Sequence, residues 1–256
     1  QAAAMIQGLS LLVDRAFIVE NVGQTGQIAA DSFVPAGMAD GNGGIFKTAE
    51  TSYYNADETG AGKLEEAKAL LETAGYTFTD NGDGTYKVDP AISMTYLTNE
   101  GTGHVAIAES MQQDFALLGI SMEIKTEDWN VFLEDRKVGN FTIAREGWVA
   151  DFNDPINMLE IFISESGNND MQLGKGTPVS SSPDWAEYDA LVEEIRTTTD
   201  FANRVTLMHQ AEDMLMETGA VMPLYYYNDV YMEKSNVSNI YATVFGMKYF
   251  MYAEKN

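Results

Sequence analysis

ISMTYLTNEGTGHVAIAESMQQDFALLGISMEIK, residues 92–125, is the stretch from which the architecture follows. Its opening, Ile92 to Leu97, is a short β-prone run rich in apolar residues. Residues 104–118 carry apolar side chains at helical spacing, and Gly119 stops them. Ile120, Met122 and Ile124 then alternate with Ser121, Glu123 and Lys125, the pattern of a half-buried strand. A short helix is expected over residues 127–138, followed by a strand at Phe141-Thr142-Ile143-Ala144. The order β-α-β-α-β predicts a layered α/β domain.

On the N-terminal side, residues 3–22 read as two helices, with Asp14 as N-cap of the second and Gly23 as its stop. Residues 30–60, rich in Gly, Asp, Pro and Thr, read as a long surface excursion. Leu64, Ala67, Leu70, Leu71 and Ala74 mark the apolar face of an amphipathic helix that Gly75 ends. Tyr76-Thr77-Phe78-Thr79 and Thr85-Tyr86-Lys87-Val88 flank Asp80-Asn81-Gly82-Asp83-Gly84, a hairpin pattern. A calcium loop needs oxygen ligands at positions 1, 3 and 5 and glycine at position 6. Counting from Asp80, those positions hold Asp80, Gly82, Gly84 and Thr85, so a plain turn fits better. On the C-terminal side, residues 164–183 read as a polar, serine-rich loop. Helices follow at residues 185–198 and 202–218, the second capped by Asp200 and ended by Gly219. The tail from Val221 to Ala253 is strand-like and aromatic. In its triplet Tyr225, Tyr226 and Tyr227 successive side chains alternate faces, so only part of it can face a cleft.

The formal net charge of −24 argues against phosphate backbones and anionic lipid surfaces as partners, and so against nucleic-acid binding. It also keeps the chain soluble. With 45% hydrophobic residues the chain can build a real core, yet no apolar run reaches membrane-spanning length. There is no signal peptide and no lipid-attachment cysteine. The first residues instead read as the inside of a helix, so the sequence is expected to start within a longer protein. Zero cysteines exclude disulfides, thiolate metal sites and cysteine nucleophiles. Only five arginines are present, and Arg136 and Arg145 lie within ten residues of each other.

These two arginines adjoin Arg145-Glu146-Gly147-Trp148-Val149-Ala150-Asp151-Phe152-Asn153-Asp154-Pro155. Opposite charges beside a large flat apolar side chain suit a zwitterionic guest. A carboxylate can hold an ammonium, and a guanidinium can hold a carboxylate through two parallel hydrogen bonds. Gly147 would let a ligand backbone approach. The same residues also describe a strand ending in a turn, with an incidental ion pair and a core tryptophan. Asp151 and Asp154 could form a hydrolytic carboxylate pair, but Asp154 before Pro155 is explained by capping a helix start. There is no Gly-x-Ser-x-Gly elbow, P-loop or dinucleotide fingerprint. His104 and His209 read as a helix-start and a helix-surface residue with no second metal ligand at useful spacing. Neither a metal nor a cofactor is expected.

Several strings together resemble one family. Ala4-Met5-Ile6-Gln7-Gly8-Leu9-Ser10-Leu11-Leu12-Val13-Asp14-Arg15 is similar to its helix ending in Asp-Arg, and Phe33-Val34-Pro35-Ala36-Gly37 to its Pro-x-Gly turn. Glu66-Ala67-Lys68-Ala69-Leu70-Leu71-Glu72-Thr73-Ala74-Gly75-Tyr76, Leu118-Gly119-Ile120, Asp128-Trp129 and Pro223-Leu224-Tyr225-Tyr226 follow in the family's order. Over nearly its whole length the chain resembles the C-terminal half of the oligopeptide/dipeptide-binding proteins of ABC importers. The resemblance implies an α/β, mixed-sheet lobe of a bilobal, type II periplasmic-binding-protein-like fold. Residues 1–220 would form the lobe, and residues 221–256 would be returning strands that cross to the N-terminal lobe. It implies a monomeric, non-enzymatic substrate-binding component, periplasmic or lipid-anchored outside the cell membrane. Its partners would be a short peptide and ABC permease subunits. Relatives on this fold bind nickel complexes or oligosaccharides, and a sensor lobe is a further alternative. By resemblance, Asp151 holds the peptide ammonium, and Arg136 and Arg145 meet its carboxylate. Gly147 and Val149 offer backbone groups to a ligand lying as an added strand, and Trp148 lines a side-chain pocket. Tyr225 sits on the strand that returns toward the other lobe. His104 lies near, but not at, a family histidine that helps bind the carboxylate end. Glu146 departs from the pattern by adding a negative charge that could pair with Arg145.

Overall fold

The computed structural model describes residues 1–176, 184–243 and 245–256. The helices are α1 (Ala2–Leu12), α2 (Arg15–Phe17), α3 (Leu64–Thr73), α4 (Thr102–Ala116), α5 (Trp129–Lys137), α6 (Ile156–Leu159), α7 (Ala186–Thr197) and α8 (Phe201–Glu217). The strands are β1 (Ile28–Ala29), β2 (Thr77–Asp80), β3 (Tyr86–Asp89), β4 (Ser93–Asn99), β5 (Ser121–Glu127), β6 (Ile143–Ala144), β7 (Tyr225–Tyr226), β8 (Val237–Ser238), β9 (Tyr241–Ala242), β10 (Lys248–Tyr249) and β11 (Glu254–Lys255).

The organising unit is the parallel sheet β5-β4-β6, with β4 in the centre. Parallel neighbours cannot be joined by a tight turn. Helix α4 supplies the crossover from β4 to β5, and α5 the return to β6. Met94, Tyr96, Leu97 and Thr98 are buried along β4, as expected of a strand covered on both faces. Helix α3 begins with Glu65 and Glu66, which suit the positive end of its dipole, and Gly75 ends it at φ +101°. Its buried Ala67 and Leu71 pack on α1 at Gly8. There is no room for a larger residue there, since a Cβ on Gly8 would lie 2.9 Å from the Ala67 carbonyl oxygen. Asp14 accepts from the Phe17 amide at 2.8 Å, and helical structure continues as a π turn to Gly23. The hairpin β2–β3 is antiparallel. Asp80 and Asp83 accept from the amides of Gly82 and Thr85, which accounts for both carboxylates as turn formers.

Two apolar clusters form the core. One joins α1, α3, α4 and the sheet around Leu12, Leu71, Phe115 and Leu118. The other joins α6, α7 and α8 around Leu159, Phe162, Trp185 and Tyr188. Residues 30–60 are not merely a surface excursion: Val34, Met38 and Phe46 are buried in the second cluster. Phe46 stacks on His209 with ring centroids 3.9 Å apart, so His209 is half-buried rather than a surface residue. The expected loop 164–183 is likewise partly interior, because Asn169, Asp170, Gln172 and Leu173 are buried. Its residues 177–183 lie outside the described set. In the tail, β7 pairs antiparallel with β1, whereas β9–β10 and β8–β11 form small two-stranded sheets. Tyr241, Met247, Tyr249, Phe250, Met251 and Tyr252 leave much of their apolar surface exposed there. Among the described residues, no single helix is long and apolar enough to cross a membrane.

Candidate functional site

A cleft of about 1050 Å³ takes its walls from both clusters. Met94, Tyr96, Ile107 and Met111 come from the first side, and Phe33, Met38, Met158 and Ile161 from the second. The chain from Phe141 to Ala150 runs along it. A smaller recess of about 290 Å³ shares part of this wall and is lined by Trp129, Arg136, Arg145, Glu146, Trp148, Phe162, Asp170 and Tyr227, among others. Of the sequence-selected residues, Arg136, Arg145, Gly147, Trp148, Val149, Tyr225 and His104 line the large cleft, whereas Asp151 is not among its lining residues.

Arg145 continues β6, and its amide donates to the Leu97 carbonyl of β4 at 3.0 Å. Its guanidinium carbon lies 5.7 Å from the ring centres of both Trp129 and Phe132, a stacking that holds the fork without a counter-charge. Among the described residues no carboxylate pairs with Arg145, and its buried Nε has no hydrogen-bond partner. His104 stands in the first turn of α4. Burial, and then the Arg145 charge, lower its pKa, so it presents a neutral imidazole to the cleft at pH 7.

Arg136 is placed differently. Its Nε lies 2.6 Å from Asp170 Oδ2 and 2.8 Å from Glu146 Oε2, while Nη1 donates to the Arg145 carbonyl at 3.3 Å. Glu146 thus pairs with Arg136 and not with Arg145. The Glu146 carboxyl is pushed up to about 7 by burial, against the pull of Arg136. Asp170 adds to the rise through its charge and a hydrogen bond.

Asp151 is exposed and has no cationic partner among the described residues. Buried Asn157 organises the chain leading to it. The Asn157 side-chain oxygen accepts from Trp148 Nε1 at 3.2 Å and from the Asp151 amide at 2.8 Å. Its amide nitrogen donates to Asp151 Oδ2 at 3.4 Å. One side chain therefore sets both the indole and the carboxylate. Asp154 is committed elsewhere, in a two-point ion pair with Arg204 at 2.7 and 3.0 Å and as acceptor of the Ile156 amide at 3.0 Å. Gly147 is packed closely by the tail, since a Cβ there would sit 2.8 Å from Tyr227 Oη and displace that half-exposed side chain. Tyr225 and Tyr227 meet edge to face at 5.3 Å, while the Tyr226 hydroxyl bonds Ser32 at 2.6 Å.

Sequence reasoning missed Asp170, Trp129 and Tyr227 as parts of this wall, and Asn157 as the buried residue that holds it from behind. Asn157 carried a signal, being the one polar residue in Ile156-Asn157-Met158-Leu159. Asp170 carried none, because its partner is 34 residues away.

A sequence profile described as bacterial extracellular solute-binding proteins, family 5 Middle, matches residues 5–170. The dipeptide-binding protein DppE of Bacillus subtilis is 31% identical over 253 residues, covering 98% of this chain and 42% of DppE. The oligopeptide-binding protein OppA of the same organism is 29% identical, covering 95% of this chain and 41% of that protein. The chain thus spans about two fifths of the length of these relatives. A crystal structure of an oligopeptide ABC transporter substrate-binding domain from Bacillus anthracis superposes with a TM-score of 0.75 at 21% identity. The match covers 99% of this chain and 45% of that one. Haemophilus influenzae OppA, solved in complex with RPPGFSPFR, superposes with a TM-score of 0.68 at 24% identity, over 92% of this chain and 42% of that one. These neighbours carry the bilobal periplasmic-binding-protein-like fold, of which this chain covers under half.

Proposed function

Because the chain belongs to family 5 of the bacterial extracellular solute-binding proteins, we propose that it forms one lobe of the peptide-binding component of an ABC importer. The protein works outside the cytoplasmic membrane, with the permease as its partner. Residues 1–220 make the lobe. Residues 221–256 run on to the remainder of the protein, which covers their exposed aromatic side chains. Short peptides lie along residues 145–151, with the carboxylate on Arg145, beside neutral His104, and the ammonium on Asp151.

The observation that carries this reading is the contrast between the charges in and beside the wall. Among the described residues, Arg136, Glu146 and Asp170 are ion-paired within the wall and Asp154 pairs with Arg204 outside it, while Arg145 in the wall and the exposed Asp151, which follows the wall without lining it, have no ion pair. The two unengaged groups carry opposite charges and are six residues apart, at most about 20 Å along an extended chain. That span suits a short zwitterion. The carboxylate pair that the sequence offered for hydrolysis is taken up elsewhere, since Asp154 is held by Arg204, and the reading is of a binding site. DppE and OppA are named for peptides, which agrees with a site reading main-chain termini in preference to sugar hydroxyls.

The test uses the full-length protein and isothermal titration. A buried ammonium–carboxylate contact contributes about 1.5–3 kcal/mol. Asp151→Ala should therefore weaken a free-amine tripeptide by roughly 10- to 100-fold and its N-acetylated form hardly at all. Equal losses for both peptides would remove Asp151 from the site.

A further inference from the structure

The recess between Trp148 and α5 holds more negative charge than its internal ion pair uses. One N–H, on Arg136 Nε, faces two carboxylates, Asp170 at 2.6 Å and Glu146 at 2.8 Å. Asp170 is buried, with 8% of its side chain exposed; Glu146 keeps 28% exposed and lines the recess. The other Glu146 oxygen accepts the Gly147 amide at 2.9 Å, so the side chain is held in place. Arg145 stands beside it with its buried Nε unpartnered.

Resting on the peptide-binding reading above, we propose that Glu146 and Asp170 make this recess selective for a basic side chain on the ligand residue whose carboxylate Arg145 holds. The charge count supports it. Empty, with both carboxylates ionised, the four groups sum to zero. A ligand carboxylate on Arg145 brings the recess to −1. A neutral side chain leaves that charge unbalanced beside the buried Asp170, and an acidic one makes it −2. A lysine or arginine side chain returns it to zero. Buried charge without a partner is costly, so the difference favours the basic ligand. The walls agree: Trp129, Trp148, Phe162 and Tyr227 surround a space of about 290 Å³, and aromatic faces attract cations.

The preference depends on pH. The groups facing Glu146 are Arg136 from α5, Asp170 from the turn after α6, Arg145 on its own segment and Tyr227 from the tail. Once a ligand carboxylate has brought the recess to −1, a proton on Glu146 balances the surplus, and its carboxyl is already pushed up to about 7 before the ligand arrives. Below that value the carboxylate-loaded site is already neutral and tolerates apolar side chains. Above it, the basic side chain is needed.

Alanyl-alanyl-lysine and alanyl-alanyl-leucine, titrated into the full-length protein at pH 6 and pH 8, test this. At pH 8 the lysine peptide should bind at least about fivefold more tightly, with the ratio shrinking toward one at pH 6. Glu146→Gln should hold the ratio near its pH 6 value throughout. Equal affinities of the two peptides for the unaltered protein at pH 8 overturn the proposal without any variant, as does an unchanged ratio in a folded Glu146→Gln. If the leucine peptide binds and depends on Asp151 but lysine brings no gain, this proposal fails and the parent reading stands. If neither peptide binds, both fail.

Discussion

Glu212 offers a stability test that reaches the cleft. It lies on α8 with 1% of its surface exposed, and its Oε1 accepts from the amides of Phe33 at 3.0 Å and Val34 at 2.7 Å. Those amides belong to the turn that forms part of the cleft wall. Burial pushes the carboxyl up to about 7, while the two amide bonds and Lys47 pull it down. The folded pKa therefore exceeds the ordinary value of 4.5. Between the two values the native protein keeps a proton that the unfolded chain has lost. Stability from this group is complete below about 4.5 and is lost as pH rises toward about 7. At about 1.4 kcal/mol per tenfold change, the gap amounts to about 3 kcal/mol.

Asp114, pushed up to about 6, and Glu146, pushed up to about 7, act in the same direction, so the raw pH profile of the protein does not isolate Glu212. Glu212→Gln does, because the amide keeps an oxygen for the two N–H groups and never ionises. Urea unfolding, followed by the fluorescence of the three tryptophans, should be run on both proteins from pH 4.5 to pH 7.5. The stability of the unaltered protein relative to the variant should fall by about 2–3 kcal/mol across that range, then level off. Parallel profiles would show that Glu212 is not the buried titrating acid described here.

Two further outcomes follow from the same geometry. Asp154→Ala removes the acceptor at the start of α6 and leaves the Arg204 guanidinium, 13% exposed, without its two-point partner. It should cost about 3–4 kcal/mol in urea unfolding, whereas Arg196→Ala, on a more exposed pair, should cost under about 1 kcal/mol. On the reading proposed above, a second lobe beyond these 256 residues closes over the peptide. Isothermal titration should show tripeptide binding weaker than micromolar, and micromolar or tighter binding would refute the two-lobe requirement.

Local signals were enough for the sheet and its helices. Alternation at Ile120, Met122 and Ile124, helical spacing in residues 104–118 and the stops at Gly75, Gly119 and Gly219 each reappear within a few residues of the observed boundaries. These patterns are legible because the physics that produces them acts over one or two turns. Residues 30–60 fail the same reading for the converse reason. Their composition is that of a loop, but Val34, Met38 and Phe46 are spaced without period and are buried by α6, α7 and α8, which come more than a hundred residues later. A core contribution of that kind leaves no rhythm in the sequence.

The two arginines show the same limit at the site. Arg136 and Arg145 are nine residues apart and chemically identical, and sequence assigns them one task. What divides them is supplied from outside their own elements. Asp170 reaches Arg136 from 34 residues away, and Glu146, whose side chain points back toward α5 and away from its neighbour, completes the pair. Both guanidinium groups lie over the Phe132 ring, but Arg145, which also lies over Trp129, has no carboxylate partner among the described residues, so its charge stays uncancelled. A guanidinium on an aromatic face keeps nearly its whole attraction for an incoming carboxylate, whereas one already facing two carboxylates has little left to offer. The affinity of this wall for an anion is therefore set less by how many arginines line it than by which of them found an internal partner during folding.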